Sequence, residues 1–241
     1  MDMEIEGEQA VVKDEDLFKA AENGDSSIFE ALSHQQLLKS LSLRNEDRRS
    51  LLHVAASSSR SAVVKILSAA DPSVSGINSP DEEGWVPLHS AASIGNVEIV
   101  EILLSRGEYF VDRSSRRGFM YICHAIPKST LQTSEFLLFS WADVNLKNDG
   151  GRTALHYAAS KGNSELCELL IEEGAEIDAT DRAGQTPLMN AVICENKEVA
   201  LLLIRHGADV DVEDKEGYTI LVSCSNLVRL HMVNLAEITM E

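Results

Sequence analysis

Basic residues are in short supply in this chain of 241 residues: 21 Lys and Arg stand against 39 Asp and Glu, for a formal net charge of −18. Such a surface repels a polyanion and steers a basic protein surface toward it, so nucleic acid is not the expected partner. Cysteine is scarce too. Cys123, Cys167, Cys194 and Cys224 lie 44, 27 and 30 residues apart, which excludes the C-x-x-C spacing of zinc and thioredoxin-type sites and reads as free, buried thiols in a reducing compartment. No apolar run approaches the roughly 20 residues that span a bilayer; the longest aliphatic stretch is Val199 to Ile204. Met1 to Asp16 carries seven acidic residues and one lysine, unlike a signal peptide. The expected location is therefore cytoplasmic, nuclear or both, with no membrane association. Neither G-x-S-x-G nor G-x-x-x-x-G-K-[ST] occurs, so neither a nucleophile elbow nor a phosphate loop is expected. No catalytic residue, no cofactor and no metal ligand is assigned.

What the sequence does have is an internal repeat. Gly84-Trp-Val-Pro-Leu-His89, Gly151-Arg-Thr-Ala-Leu-His156, Gly184-Gln-Thr-Pro-Leu-Met189 and Gly217-Tyr-Thr-Ile-Leu-Val222 are copies of one segment, and Ser50-Leu-Leu-His53 is a further copy without the glycine. The last positions fall at 53, 89, 156, 189 and 222, giving steps of 36, 67, 33 and 33. The double step predicts a hidden copy near 122 or 123. The sub-pattern is clearest in the unit that starts at Gly151: a short alanine-rich helix, the turn Lys161-Gly162-Asn163, a second helix with leucines at helical spacing, the closing Gly174 and the extended stretch Ala175-Glu-Ile-Asp178. Leu17-Phe-Lys-Ala-Ala21 opens an N-terminal unit whose acidic start, Asp14-Glu-Asp16, suits a helix N-terminus.

These motifs resemble the ankyrin family, whose signature is T-P-L-H-x-A at a period of 33 residues. The resemblance implies an all-α solenoid of stacked helix-turn-helix units with hairpin-like loops. One unit cannot bury its apolar face alone, so neighbours must stack. The expected organisation is an acidic flexible stretch at 1–13 and an array over 14–222. Its repeats are read at about 14–46, 47–80, 81–113, 114–147, 148–180 and 181–213, followed by an atypical C-terminal cap at 214–241.

Residues 108–141 break the pattern. They hold seven of the twelve aromatic residues, and their charge is +1 in an otherwise acidic chain. Read as a diverged repeat, Gly118, Ile122 and Ala125 fill motif slots, although Trp141 and Pro127 fit helices poorly. Read as an insertion, removing them joins Arg106-Gly107 to Ala142-Asp-Val-Asn145 and regenerates a standard junction. The C-terminus is also unusual, since Leu227, Val228, Leu230, Met232, Val233, Leu235 and Ile238 crowd where a cap should be polar, which suggests an end that associates or frays.

His53, His89 and His156 form a row, read here as turn ties rather than bases or ligands. Function is expected on the aligned loop tips and the adjoining helix faces. The tips are Asp81-Glu-Glu-Gly-Trp85, Asn148-Asp-Gly-Gly-Arg152, Thr180-Asp-Arg182 and Glu213-Asp-Lys-Glu-Gly-Tyr218, with Trp85, Tyr157 and Tyr218 as aromatic anchors.

Within the ankyrin proteins the chain is similar to the proteasome regulatory subunits called gankyrins, in a plant-like form. Leu17-Phe-Lys-Ala-Ala-Glu-Asn-Gly-Asp25, Asn78-Ser-Pro-Asp-Glu-Glu-Gly-Trp85, Gly151 to Gly162 and Leu201-Leu-Leu-Ile-Arg-His-Gly-Ala-Asp209 carry that likeness. The odd segment and tail fit a variant transcript. The resemblance implies a non-enzymatic, monomeric assembly chaperone of the proteasome's regulatory particle, holding a basic domain of one ATPase subunit by complementary charge. By the same resemblance the contact residues are Asp81, Glu82, Glu83, Trp85, Arg152, Tyr157, Asp181, Arg182, Asp214, Glu216 and Tyr218. The alternative role is an ankyrin-type regulator of a kinase or transcription factor.

Overall fold

The computed structural model describes residues 12–70, 74–105, 108–110, 121–122, 137–138 and 142–220. The expectations for 1–11, for Gly118, Ala125, Pro127 and Trp141, and for the C-terminal tail beyond 220 lie outside the described residues.

The array is an all-α solenoid of paired helices. The N-terminal unit contains α1 (Asp14–Asn23), α2 (Ser26–Ala31) and α3 (His34–Leu41), and the second contains α4 (Leu51–Ser57), α5 (Ser61–Ala70) and α6 (Val74–Ile77). Then come α7 (Pro87–Ile94) and α8 (Val97–Leu104), α9 (Ala154–Lys161) and α10 (Ser164–Glu172), and α11 (Pro187–Ile193) and α12 (Lys197–Arg205). The first helices stack in the order α1, α4, α7, α9, α11, and the second helices α5, α8, α10 and α12 run behind them.

Residue size sets this layering. Ala55, Ala56, Ala91, Ala92, Ala158, Ala159 and Ala191 are fully buried, and their small side chains let the first helices approach closely. Leu67, Ile99, Leu103, Leu166, Leu170, Val199 and Leu203 fill the space behind at 0 to 1% exposure. Full burial of each leucine contributes about 1.5 to 3 kcal/mol before entropy is counted. Side-chain caps start several of the helices: Asn96 and Asn163 accept from the Ile99 and Leu166 amides, and Thr186 accepts from that of Met189. The chain then reverses through a left-handed residue. Gly24, Gly95 and Gly162 occupy that position in three units, whereas Ser59 (φ 59°) and Glu195 (φ 60°) occupy it in the other two.

Between α8 and α9 the described elements are three strands: β1 (Glu108–Phe110), β2 (Tyr121–Ile122) and β3 (Leu137–Leu138). They pair antiparallel in the order β2-β1-β3, with Tyr109 opposite both Ile122 and Leu137. The position of the expected hidden copy thus carries a strand at Tyr121–Ile122.

Candidate functional site

Each of these loop tips is organised by an Asp or Asn side chain of its own. Asp81 Oδ1 accepts from the amides of Glu83 and Trp85 at 3.0 and 2.8 Å, Asp181 Oδ1 from those of Ala183 and Gln185, and Asp214 Oδ1 from those of Glu216 and Tyr218. Asn148 does the same for Arg152 and donates from Nδ2 to the Tyr157 hydroxyl at 2.7 Å. The three aspartates expected as partner contacts therefore also hold their own turns, and Asp181 is 8% exposed. Successive tips are tied by backbone bonds: the Asp149 amide donates to Glu83 at 3.1 Å, and the Arg182 amide to Gly150 at 2.9 Å.

Behind the tips, the histidines lock loop to helix. In His53 the Ser50 amide donates to Nδ1 at 3.2 Å and Nε2 lies 2.8 Å from the Trp85 carbonyl. In His156 the matching partners are the Thr153 amide and the Gln185 carbonyl, and in His89 the Val86 amide and the Leu146 carbonyl. An amide can only donate and a carbonyl only accept, so each ring is neutral with its proton on Nε2. Burial lowers all three below the ordinary histidine value, that of His53 to about 4. All three are too enclosed and too fully bonded to serve as general bases. Among the described residues no group of three His, Cys, Asp or Glu could hold a metal ion, and no helix is long and apolar enough to cross a membrane.

The tips and first helices line two adjoining chambers that are open to solvent along one groove. The first, of about 600 Å³, is lined by Asp47, Arg49, Asp81, Glu82, Glu83, Trp85 and by Ser57, Ser90 and Ser93. The second, of about 550 Å³, is lined by Glu82, Glu83, Trp85, Asn148, Asp149, Arg152, Tyr157, Asp181 and Arg182. Trp85 stands between them and packs on Tyr157 with ring centroids 4.7 Å apart. Arg49 lies 3.8 Å from Asp81, and Arg152 lies 3.3 Å from Asp181. With those two aspartates paired, Asp47, Glu82, Glu83 and Asp149 face Arg182 as the remaining charges, and the groove is acidic.

Of the expected contact residues, Glu82, Glu83, Trp85, Arg152, Tyr157, Asp181 and Arg182 line one chamber, and Asp81 lines its neighbour. Asp214, Glu216 and Tyr218 sit on the last described tip and line neither; Tyr218 is 48% exposed. Asp47 and Arg49 were not expected. Their tip has Arg48 at φ 59° where the other tips have Gly84, Gly151, Gly184 and Gly217, so the glycine that marks a tip in the sequence is missing. The turn bond from the Arg49 amide to Asn45 Oδ1 could have revealed it as an Asn-x-x-x-Arg match to Asn148 and Arg152. The reading of the cysteines as buried holds for Cys167, whose thiol burial pushes up to about 12, but Cys194 is exposed. It is the C-cap of α11, next to the exposed Ile193, instead of falling on a packed face. Cys123 and Cys224 lie outside the described residues.

Comparison with known proteins agrees with this architecture. A family model described as ankyrin repeats (3 copies) matches residues 17–114 and 120–233. The probable 26S proteasome regulatory subunit p28 of Saccharomyces cerevisiae is 32% identical over 134 residues, covering 54% of this chain and 59% of that protein. The nuclear factor NF-kappa-B p105 subunit of Gallus gallus is 30% identical, over 59% of this chain and 16% of its own length. Alpha-latrotoxin-Lh1a of Latrodectus hasselti is 29% identical, over 62% of this chain and 11% of its own length. The chain thus spans less than two thirds of the length of these relatives.

Proposed function

Because the chain belongs to the ankyrin-repeat family, we propose that it is a non-catalytic scaffold whose groove holds a basic protein surface. The observation that carries this reading is the set of exposed carboxylates, Asp47, Glu82, Glu83 and Asp149, along the groove that holds the Trp85–Tyr157 stack. Carboxylates at the rim attract and orient a cationic partner, and a half-buried aromatic pair at the centre supplies the apolar contact on which binding energy concentrates. The contact set is Glu82, Glu83, Trp85, Arg152, Tyr157 and Arg182, with Asp81 and Asp181 acting through the loops and arginines they hold. Asp214, Glu216 and Tyr218 extend the surface along the next tip.

The likeness to the yeast proteasome regulatory subunit supports a narrower version. In it the chain is a monomeric assembly chaperone of the proteasome's regulatory particle, working in the cytoplasm, the nucleus or both, and its partner is a basic domain of an ATPase subunit. A second reading, regulation of a transcription factor or kinase, draws on the likeness to the p105 subunit. Affinity capture with mass spectrometry separates them, comparing the natural chain with Glu82→Lys/Glu83→Lys. Asp81 is left unchanged, because its Oδ1 holds the turn. Capture of a proteasomal ATPase subunit that the charge reversal abolishes supports the narrower version. Capture of a transcription factor or kinase instead replaces it, and capture that is indifferent to the reversal removes the acidic groove from the account.

A further inference from the structure

Three sets of hydrogen bonds repeat along the array, and each is kept where residues 108–141 intervene. At the base of the loops, the Ala175 amide donates to the Leu170 carbonyl at 2.9 Å and the Ala208 amide to Leu203 at 3.0 Å; the Ala142 amide donates to Leu103 at 3.0 Å. Between neighbouring loops, the Glu176 amide donates to Asn145 Oδ1 at 2.8 Å and the Asp209 amide to Asp178 Oδ1 at 3.0 Å; the Asp143 amide donates to Asn78 Oδ1 at 2.9 Å. Between tips, the Arg182 amide donates to Gly150 and the Lys215 amide to Ala183, both at 2.9 Å; the Asp149 amide donates to Glu83 at 3.1 Å.

The sequence separations are 39 against 5, 65 against 31 and 66 against 32. Every difference is 34, the length of 108–141. A folded repeat in the stack would have pushed the units on either side of it apart by one layer. Instead α7 packs directly on α9, and Trp85 reaches Tyr157.

We infer that 108–141 is an insertion into a continuous ankyrin array, leaving and returning at one loop base, and that a chain without it carries the same groove. The joined sequence Leu103-Leu-Ser-Arg-Gly107-Ala142-Asp-Val-Asn145 then has the spacing of Leu170-Ile-Glu-Glu-Gly174-Ala175-Glu-Ile-Asp178. The cost of carrying the insertion is small, since loop-closure entropy grows only with the logarithm of length. This holds whatever the partner is.

The test is the full chain with 108–141 deleted. Deletion removes Trp141 and leaves Trp85 as the only tryptophan, so the reference for fluorescence is the intact chain carrying Trp141→Phe. The deleted chain is expected to unfold in one cooperative transition, at the same temperature or a few degrees higher, with Trp85 emission unchanged. Loss of that transition, or a red shift of Trp85, overturns the inference. Hydrogen exchange on the intact chain checks it without a deletion. The amides of Ala142, Asp143 and Asp149 should be protected like those of Ala175, Glu176 and Arg182, and free exchange of the first three alone contradicts continuity. Partner capture should survive deletion. Its loss from a folded deleted chain overturns the statement about the groove, whereas absence of capture by both chains speaks only against the proposed function.

Discussion

Trp85 and Tyr157 lie 72 residues apart in the sequence, yet their rings pack at 4.7 Å with an angle of 38° between planes. The pair joins the tip of one repeat to the first helix of the next. Tilted aromatic pairs of this kind contribute about 0.5 to 1.5 kcal/mol beyond the area they bury. A double-mutant cycle with Trp85→Ala and Tyr157→Ala, read by urea unfolding, is expected to give a coupling energy in that range. Strict additivity would mean that the rings do not interact in solution.

The buried histidines make stability depend on pH. In the unfolded chain each titrates near 6.5, whereas in the fold His53 is held at about 4 and His89 and His156 are held low by the same burial. Between those values the unfolded state binds more protons, so stability rises with pH. The contribution is complete above pH 6.5 and is lost as pH falls toward about 4. For His53 the loss is on the order of 3 kcal/mol across the window. Unfolding free energy measured at pH 7.5, 6 and 5 should fall steadily, before the carboxylates titrate. A flat profile would contradict neutral, buried rings.

Three residues occupy left-handed positions that glycine holds elsewhere: Arg48, Ser59 and Glu195. Replacing any of them by glycine relieves backbone strain and is expected to stabilise the chain by about 0.5 to 1 kcal/mol. The reverse change at Gly184 should destabilise it. Its φ is +83°, and an added Cβ would meet the Lys215 amide nitrogen at 2.9 Å, where tip packs on tip. Thermal unfolding of the four single variants checks the sign in each case.

Leu103 anchors the loop base through its carbonyl and is fully buried through its side chain. Leu103→Ala is expected to cost about 2 to 5 kcal/mol. An effect below 1 kcal/mol would place that side chain outside the packed core.

The fold was legible because its causes are local and repeated. A 33-residue period, paired alanines such as Ala158 and Ala159, and turn glycines such as Gly162 each carry a physical requirement that the packed array meets. The site was legible only in part. Glu82, Glu83, Trp85, Arg152 and Arg182 were placed on loop tips by the sequence and, with Tyr157, were given as contacts by the family resemblance; the structure brings them to one groove. That Asp81 and Asp181 turn inward to hold amides depends on loop geometry, which composition does not reveal. Asp47 and Arg49 were hidden because Arg48 adopts a glycine conformation. The union of Glu83 with Asp149 depends on which tip follows which in space, a matter the two readings of 108–141 left open.

The central claim, that an acidic groove holds a basic protein, is tested most directly on the complex itself. Once a partner is captured, its affinity is measured as salt is raised, and hydrogen exchange compares the free and bound chain. The account predicts binding that weakens steeply with salt, with new protection concentrated at 81–85, 148–152 and 181–183. Salt-insensitive binding, with protection on the outer faces of α8, α10 and α12 instead, would contradict it.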